Sequence, residues 1–332
     1  MAQQLSDSYG RVHRDLRISV TDRCNFRCTY CMPEEGMQWL PRDGVLSYEE
    51  IERLARLFVD RFGFTSIRIT GGEPLVRARL PVLIAKLAAL GVDLALTTNG
   101  ATLAGAAHDL AAAGLQRINV SLDTLRPDRF LELTRRELLD DVLAGIDAAL
   151  DAGLNPVKVN AVLIRGVNDD EVVDLARFGR DRGVTMRFIE FMPLDATGEW
   201  NDDAVVPRAE IVRAIDAVFP LEPAGHDDGH GGSQPAEVLR YADGRGECGV
   251  IASVTDKFCS SCDRVRLTAD GQLRNCLFAL DETDLRALLR GGASDDALAA
   301  AIEGNVARKW AGHGISEVAF TRPRRSMSQI GG

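Results

Sequence analysis

No apolar run in the 332-residue chain approaches the ~18 residues that a membrane-spanning helix needs. The start, MAQQLSDSYGRVHRD, is polar where a signal peptide would be apolar. Both absences lead to the expectation of a cytoplasmic protein without a membrane partner. Positive charge is also scarce: Lys and Arg number 39 against 49 Asp and Glu, for a net charge of −10. Such a chain has no global field to hold a nucleic acid, so any phosphate binding must be local. G-x-x-x-x-G-K-[ST], G-x-S-x-G and H-E-x-x-H are all missing, which removes the P-loop, the nucleophile elbow and the zincin helix. Gly244 to Gly249 does fit G-x-G-x-x-G, but it precedes a β-branched run, so it is read as a turn. With 45% hydrophobic and 27% charged residues the chain is neither fibrous nor disordered in bulk, and its length suits about two domains.

What is present is sulfur in clusters. Cys24, Cys28 and Cys31 read C-N-F-R-C-T-Y-C, Cys259 and Cys262 read C-S-S-C with Cys276 following, and Cys248 is left over. An odd count in two groups of three is no disulfide framework. A C-x-x-C turn aims two sulfurs at one point, which is how thiolates bind metal. Structural zinc needs four protein ligands, and neither group has an evident fourth; His226 and His230 are the histidines the second group could recruit. Three sulfurs on a [4Fe–4S] cube would instead leave one iron open to an exogenous ligand. Zinc stays the second reading for the second group. Cys248 matches no pattern and reads as a small buried residue.

Apolar β-branched runs alternate with amphipathic stretches over the first two-thirds of the chain. The spacing predicts strands at Leu16–Thr21, Phe64–Thr70, Asp93–Thr98, Ile118–Asp123, Val157–Ile164 and Val184–Met192. Helix starts are expected at Ser47 with Glu50, at Asn168 with Glu171, and at Pro207. Six βα units fall short of the eight of a full barrel, so the expected fold is α/β, a partial (βα)6 TIM-like barrel. The pattern ends after Met192, and His226–Pro235 has linker composition. The division is therefore 1–225 for the barrel and 226–332 for a smaller C-terminal region, with a second cluster stapling that region over the barrel mouth. Two helical stretches are expected there, around Leu285 and Leu298.

In parallel α/β folds ligands gather at the carboxyl ends of strands. Gly71-Gly72-Glu73-Pro74 lies at such an end, where the glycines admit a close ligand and Glu73 could accept from an ammonium group. Thr97-Thr98-Asn99-Gly100, Ser121 and Met192 end three other strands. Arg17, Arg68, Lys158, Arg187, Arg264 and Arg266 lie where strands end or sulfurs cluster. Such inward cations need a partner, and a triphosphate would satisfy them; internal ion pairs to Asp and Glu are the competing account.

C-x-x-x-C-x-x-C with Tyr30 before its last Cys resembles the signature of the radical S-adenosylmethionine superfamily. Together with RITGGEP, TTNG, NVSLD, KVN, RFIE, C-x-x-C-x-R-x-R, Cys276 and the terminal Gly331-Gly332, the chain from Leu16 onward resembles the GTP 3′,8-cyclase family of molybdenum cofactor synthesis. The resemblance implies a lyase with two [4Fe–4S] clusters and S-adenosylmethionine. It places one cluster on Cys24, Cys28 and Cys31, and a substrate-side cluster on Cys259, Cys262 and Cys276. Tyr30, Gly72, Glu73, Ser121 and Met192 would bind S-adenosylmethionine. Arg17, Arg68, Thr97, Lys158, Arg264, Val265 and Arg266 would surround GTP, with Arg17, Arg187 and Arg266 assisting its conversion. The implied reaction removes the ribose 3′ hydrogen and closes C3′ onto guanine C8, giving (8S)-3′,8-cyclo-7,8-dihydroguanosine 5′-triphosphate. A low-potential electron donor, handover to the next enzyme of the pathway (cyclic pyranopterin monophosphate synthase), a homodimer and a tail reaching the active site are further implications. Ser66 departs from the lysine common in relatives. The rival readings are another radical S-adenosylmethionine enzyme with an auxiliary cluster, such as a peptide-modifying maturase, and a zinc-stapled binding module.

Overall fold

The computed structural model describes residues 3–35, 37–194, 198, 200–224, 235–315 and 320–331. The expected boundary at 225/226, His226, His230 and Gly332 lie outside the described residues. Six βα units occupy the first two-thirds of the chain. Strand β1 (Asp15–Ser19) leads to helix α1 (Tyr48–Phe62), β2 (Ser66–Thr70) to α2 (Leu80–Ala88), and β3 (Asp93–Thr98) to α3 (Ala107–Ala112). Then β4 (Arg117–Ser121) leads to α4 (Pro127–Thr134) and α5 (Leu139–Asp151), β5 (Val157–Leu163) to α6 (Val172–Arg182), and β6 (Thr185–Glu190) to α7 (Arg208–Asp216). Each strand read from the sequence is found to within about two residues at its ends, the ordinary scatter of element boundaries.

Helix α1 starts as its sequence dictates: Ser47 Oγ accepts from the Glu50 amide at 3.1 Å, and Glu50 Oε2 accepts from the Ser47 amide at 2.7 Å. Ile51, Leu54, Ala55 and Phe58 then face the sheet. The second expected capping box does not form. Asn168 turns inward, its Nδ2 donating to the carbonyls of Asp123 and Val162, while Glu171 accepts from Thr124 Oγ1 and the Leu125 amide. Both side chains serve the loop after β4 instead, and α6 begins at Val172.

The C-terminal region adds strands β7 (Leu221–Pro223), β8 (Glu237–Tyr241), β9 (Glu247–Ile251), β10 (Arg264–Leu267), β11 (Gln272–Arg274) and β12 (Thr283–Asp284). Helices α8 (Leu285–Arg290), α9 (Asp295–Ala307) and α10 (Met327–Ile330) complete it. Its strands do more than cap the mouth, because they extend the same sheet at both edges, in the order β12-β11-β10-β1-β2-β3-β4-β5-β6-β9-β8-β7. From β10 through β9 every neighbouring pair is parallel. The antiparallel strands sit outside them and shield the edges. Cys248 is buried in β9 opposite Met186, and Gly244 and Gly246 turn the β8–β9 hairpin with positive φ. The main core lies between sheet and helices, while a small cluster of Leu194, Val205, Val254, Phe278 and Ile315 supports the C-terminal region.

Candidate active site

The loop after β1 carries the first three thiols. Cys31 N–H closes a turn on the Cys28 carbonyl at 2.9 Å. Phe26 packs edge-on against Phe130, ring centroids 5.8 Å apart, which fixes the loop over α4. The Phe26 amide donates to Cys24 Sγ at 3.4 Å, and Asn99 Nδ2 lies 3.8 Å from the same sulfur while donating to Asn25 Oδ1 at 2.7 Å. Burial pushes the thiol of Cys24 up to about 11 and that of Cys31 to about 12, and raises Cys28 well above its ordinary value. Each also feels the others' developing charge or nearby carboxylates, so the three sulfurs form one electrostatic unit. All three are unpaired and partly buried. Among the described residues no three Cys, His, Asp or Glu side chains close on a single point. Burial keeps the first three thiols protonated, so they need a positive centre to ionise, as an iron–sulfur cube supplies.

Beside this triad a pocket is lined by Cys28, Tyr30, Asn99, Ser121, Asp123 and Thr134, among others. Tyr30 Oη donates to Asp123 Oδ2 at 2.5 Å, and burial lifts the Asp123 carboxyl to about 6. Ser121 lies at the end of β4 opposite Asn160. Met192, just past β6, packs on the edge of the small C-terminal core. Gly72 is pressed against the strand-1 loop: its amide donates to the Thr21 carbonyl at 2.8 Å, and a Cβ there would collide with the carbonyl oxygens of Asp22 and Arg23. Glu73 is fully buried, and its carboxylate accepts from the Leu75 amide, Thr98 Oγ1 and the Asn99 amide at 2.6–2.9 Å. The carboxylate thereby anchors Asn99 next to Cys24, a role not legible in the GGEP spacing.

Register builds the basic surface. Arg17 on β1 pairs with Arg68 on β2 and with Arg266 on β10. Arg17 Nε and Arg68 Nε are buried without a hydrogen-bond partner among the described residues. Burial and then the Arg266 and Arg68 charges hold Arg17 well below its ordinary value. Farther along, Arg187 is 4% exposed and is held by neutral groups, Nη2 donating to Asn119 Oδ1 at 2.6 Å and Nε to Asn160 Oδ1 at 2.9 Å. Burial followed by Arg68 and Arg117 brings Arg187 down to about 9; burial followed by Arg187 and Arg117 brings Lys158 to about 8. Asn119 also donates to Thr97 Oγ1 at 3.2 Å. Two carboxylates border this row: Asp93 is engaged by Arg117, and Asp15 pairs with Arg17 at 4.0 Å. Among the described residues, ion pairs to Asp and Glu in this row are few. Ser66, opposite Asp15 and Asp93, adds no charge.

The second triad lies at the β10 edge. Arg264 stacks on Phe258 with its guanidinium 4.7 Å from the ring centre, and Arg266 donates to the Gly331 carbonyl. Val265, between them, turns its side chain into the main core. Gly331 has φ 85° and packs on Ser19 and Thr70 at the ends of β1 and β2, so the tail does enter the site. Burial raises the Cys262 thiol, but Arg264 and Lys309 outweigh it and bring it to about 6, a thiolate at neutral pH. Lys309 and the His313 amide, which bonds the Cys259 sulfur, were missed in the sequence; a lone Lys and a lone His in K-W-A-G-H carry no spacing signal.

Residues 18–179 match the Radical SAM superfamily and residues 184–315 match Molybdenum Cofactor Synthesis C. A curated GTP 3′,8-cyclase from Mycobacterium sp. (strain KMS) is 52% identical over 330 residues, covering 99% of this chain and 93% of that protein. The GTP 3′,8-cyclase of Streptomyces coelicolor is 50% identical over 333 residues, covering 100% and 97%. Among solved structures, Streptococcus suis SuiB bound to S-adenosylmethionine has a TM-score of 0.60 at 15% identity, covering 88% of this chain and 68% of that one, a likeness of fold. With cysteine triads and both regions matched along nearly the whole length, the chain belongs to the GTP 3′,8-cyclase family of the radical SAM superfamily.

Proposed function

We propose that the chain is a GTP 3′,8-cyclase, a radical SAM lyase converting GTP to (8S)-3′,8-cyclo-7,8-dihydroguanosine 5′-triphosphate, the first step of molybdenum cofactor biosynthesis. The observation that carries this reading is the row of buried, under-neutralised cations between two cysteine triads, in a chain about half identical to curated cyclases. Cys24, Cys28 and Cys31 hold the radical-generating [4Fe–4S] cluster, and Cys259, Cys262 and Cys276 the substrate-side one. Bound at the first triad, cluster and S-adenosylmethionine supply a 5′-deoxyadenosyl radical able to take the ribose 3′ hydrogen. Tyr30, Gly72, Ser121 and Met192 line the S-adenosylmethionine site, and Glu73 keeps its loop in place through Asn99.

The protein's own part is position and charge. Arg17, Arg68 and Lys158 receive the triphosphate, whose charge relieves their mutual repulsion. Arg187 is locked by Asn119 and Asn160 and acts as a fixed cation. Thr97, held by Asn119, borders the same row. Arg264 and Arg266, on adjacent inward positions of β10, hold the base side of the nucleotide near the second triad. C3′ and C8 belong to one molecule, so fixing base and ribose together selects the conformer in which the two atoms can close. The tail around Gly331 covers this region and excludes water.

We extend the proposal to a low-potential electron donor, delivery of the product to cyclic pyranopterin monophosphate synthase, a homodimer, and a cytoplasmic location. No helix among the described residues is long and apolar enough to cross a membrane. The functional division follows 1–225 and 226–332. Another radical SAM enzyme with an auxiliary cluster, such as a peptide-modifying maturase, is not favoured, because curated cyclases are about half identical to this chain over nearly its full length.

The test is anaerobic turnover of iron–sulfur-reconstituted protein with S-adenosylmethionine, a reductant and GTP deuterated at ribose C3′, followed by mass spectrometry. Deuterium in 5′-deoxyadenosine together with cyclised GTP is the expected result. Unlabelled 5′-deoxyadenosine with unchanged GTP would overturn the substrate.

A further inference from the structure

The first residues of the described chain form a buried polar chain that ends on a sulfur of the second triad. Asp7 Oδ2 accepts from Arg11 Nε at 2.6 Å and faces His13 Nε2 at 3.2 Å, with His13 fully buried. On the other side of the ring, His13 Nδ1 lies 3.5 Å from Lys309 Nζ. Lys309, 4% exposed, donates to the carbonyls of Arg264 at 2.8 Å and Cys262 at 3.3 Å, and to Cys262 Sγ at 3.4 Å. The arrangement fixes roles. Asp7 holds the proton on His13 Nε2, so Nδ1 presents a lone pair to the ammonium. Burial and the Lys309 charge hold His13 down at about 4, hence neutral.

A buried ammonium is costly without a counter-charge. The sulfurs of Cys262 and Cys276 lie close enough to favour the charged form of Lys309. Arg11 independently pins the same corner, Nη1 donating to the Cys259 carbonyl at 2.7 Å and Nη2 to the Trp310 carbonyl at 2.6 Å. The N-terminal segment and the segment after α9 are thus assembled around the triad.

We propose that Lys309, oriented by Asp7 and His13, is a positioning residue of the second cluster whose ammonium hydrogen-bonds the Cys262 ligand sulfur and raises that cluster's reduction potential. The inference rests on the reading that Cys259, Cys262 and Cys276 hold that cluster. A donor and positive charge at a ligand sulfur favour the reduced, more negative cluster, so the potential rises with it.

The experiment uses the full chain with Cys24, Cys28 and Cys31 all changed to Ser, reconstituted anaerobically, so that only the second cluster is present. Iron and sulfide are counted, and the midpoint potential is read by redox titration with electron paramagnetic resonance. Lys309→Met is expected to shift the midpoint to a more negative value, and Lys309→Arg to restore most of it. An unchanged midpoint at full cluster occupancy in Lys309→Met would overturn the inference. No iron in the parent triple variant would instead overturn the second-triad reading. Should Lys309→Met assemble no cluster, the parent labelled with 15N-lysine decides: a lysine nitrogen coupled to the reduced cluster supports the contact, and its absence sinks it.

Discussion

Arg266 in β10 donates to the carbonyl oxygen of Gly331, so the tail is fastened to the strand that carries the second triad's neighbouring arginines. Ser326 and Gln329 cap α10 reciprocally just before it, and Arg325 pairs with Asp270 at 2.8 Å. Arg266→Ala therefore leaves both clusters assembled while freeing the tail. Turnover should fall about 100-fold, the scale of losing one preorganised charged donor, and the last residues should become sensitive to carboxypeptidase. Loss of iron in this variant would assign Arg266 to cluster support instead.

Arg17 faces two other guanidiniums in register, and its Nε is unsatisfied. Before GTP binds, this crowding opposes the folded state. Arg17→Leu should melt about 2 °C higher than the parent in the cluster-loaded, GTP-free protein, since replacing a poorly paired buried charge is neutral or stabilising. GTP binding should weaken about 10–100-fold, as expected for a lost charged hydrogen-bonding partner. Calorimetry and equilibrium dialysis read the two effects, and a variant that melts lower yet binds GTP normally would refute the argument.

Lys158 adds a pH dependence. Burial, then Arg187 and Arg117, bring its ammonium to about 8, below the ordinary lysine value. Below pH 8 it is charged in folded and unfolded chains alike, and the penalty of burying that charge is fully present. Between about 8 and the ordinary lysine range the unfolded chain binds more protons, so this group's contribution to stability improves as pH rises. GTP binding runs the other way. A triphosphate restores the charge and takes up a proton above pH 8, so affinity should fall with pH there, by up to about tenfold per unit. Lys158→Gln should flatten that slope; an unchanged slope would remove Lys158 from the phosphate site.

The parallel core was legible because strand-length apolar segments recur between amphipathic helical stretches, and the first triad because three sulfurs at that spacing have few other uses. Pairing at the sheet edges was not. Strand β10, R-V-R-L, lacks an apolar run, yet Arg264 and Arg266 alternate with Val265 and Leu267, which is how one face serves the site and the other the core. Its neighbour in the sheet, β1, lies about three-quarters of the chain away, and no local pattern encodes such a partner. The Asn168–Glu171 spacing matched a capping box, but buried backbone groups around β4 competed for both side chains and won. Asp7, His13 and Lys309 were invisible for the same reason: their meaning comes only from meeting in space.

Gly72 links the second strand to the first triad. Its amide and that of Glu73 donate to the carbonyls of Thr21 and Arg23 at 2.8 Å, fastening the β2 loop to the segment that leads into Cys24. There is no room for a side chain, because the atoms a Cβ would meet are backbone oxygens of Asp22 and Arg23, and the Arg23 oxygen cannot move without breaking its bond to the Glu73 amide. Gly72→Ala should displace the 21–24 segment and with it Cys24. The second triad has separate anchors in Arg11 and Lys309 and should remain intact. Reconstituted Gly72→Ala is thus expected to hold about half the iron of the parent, as loss of one of two like clusters dictates. Its remaining resonance signal should match that of the variant lacking the first three cysteines, and no 5′-deoxyadenosine should form. Full iron with normal S-adenosylmethionine cleavage would mean that the loop tolerates a methyl group and that its tight fit does not govern the cluster.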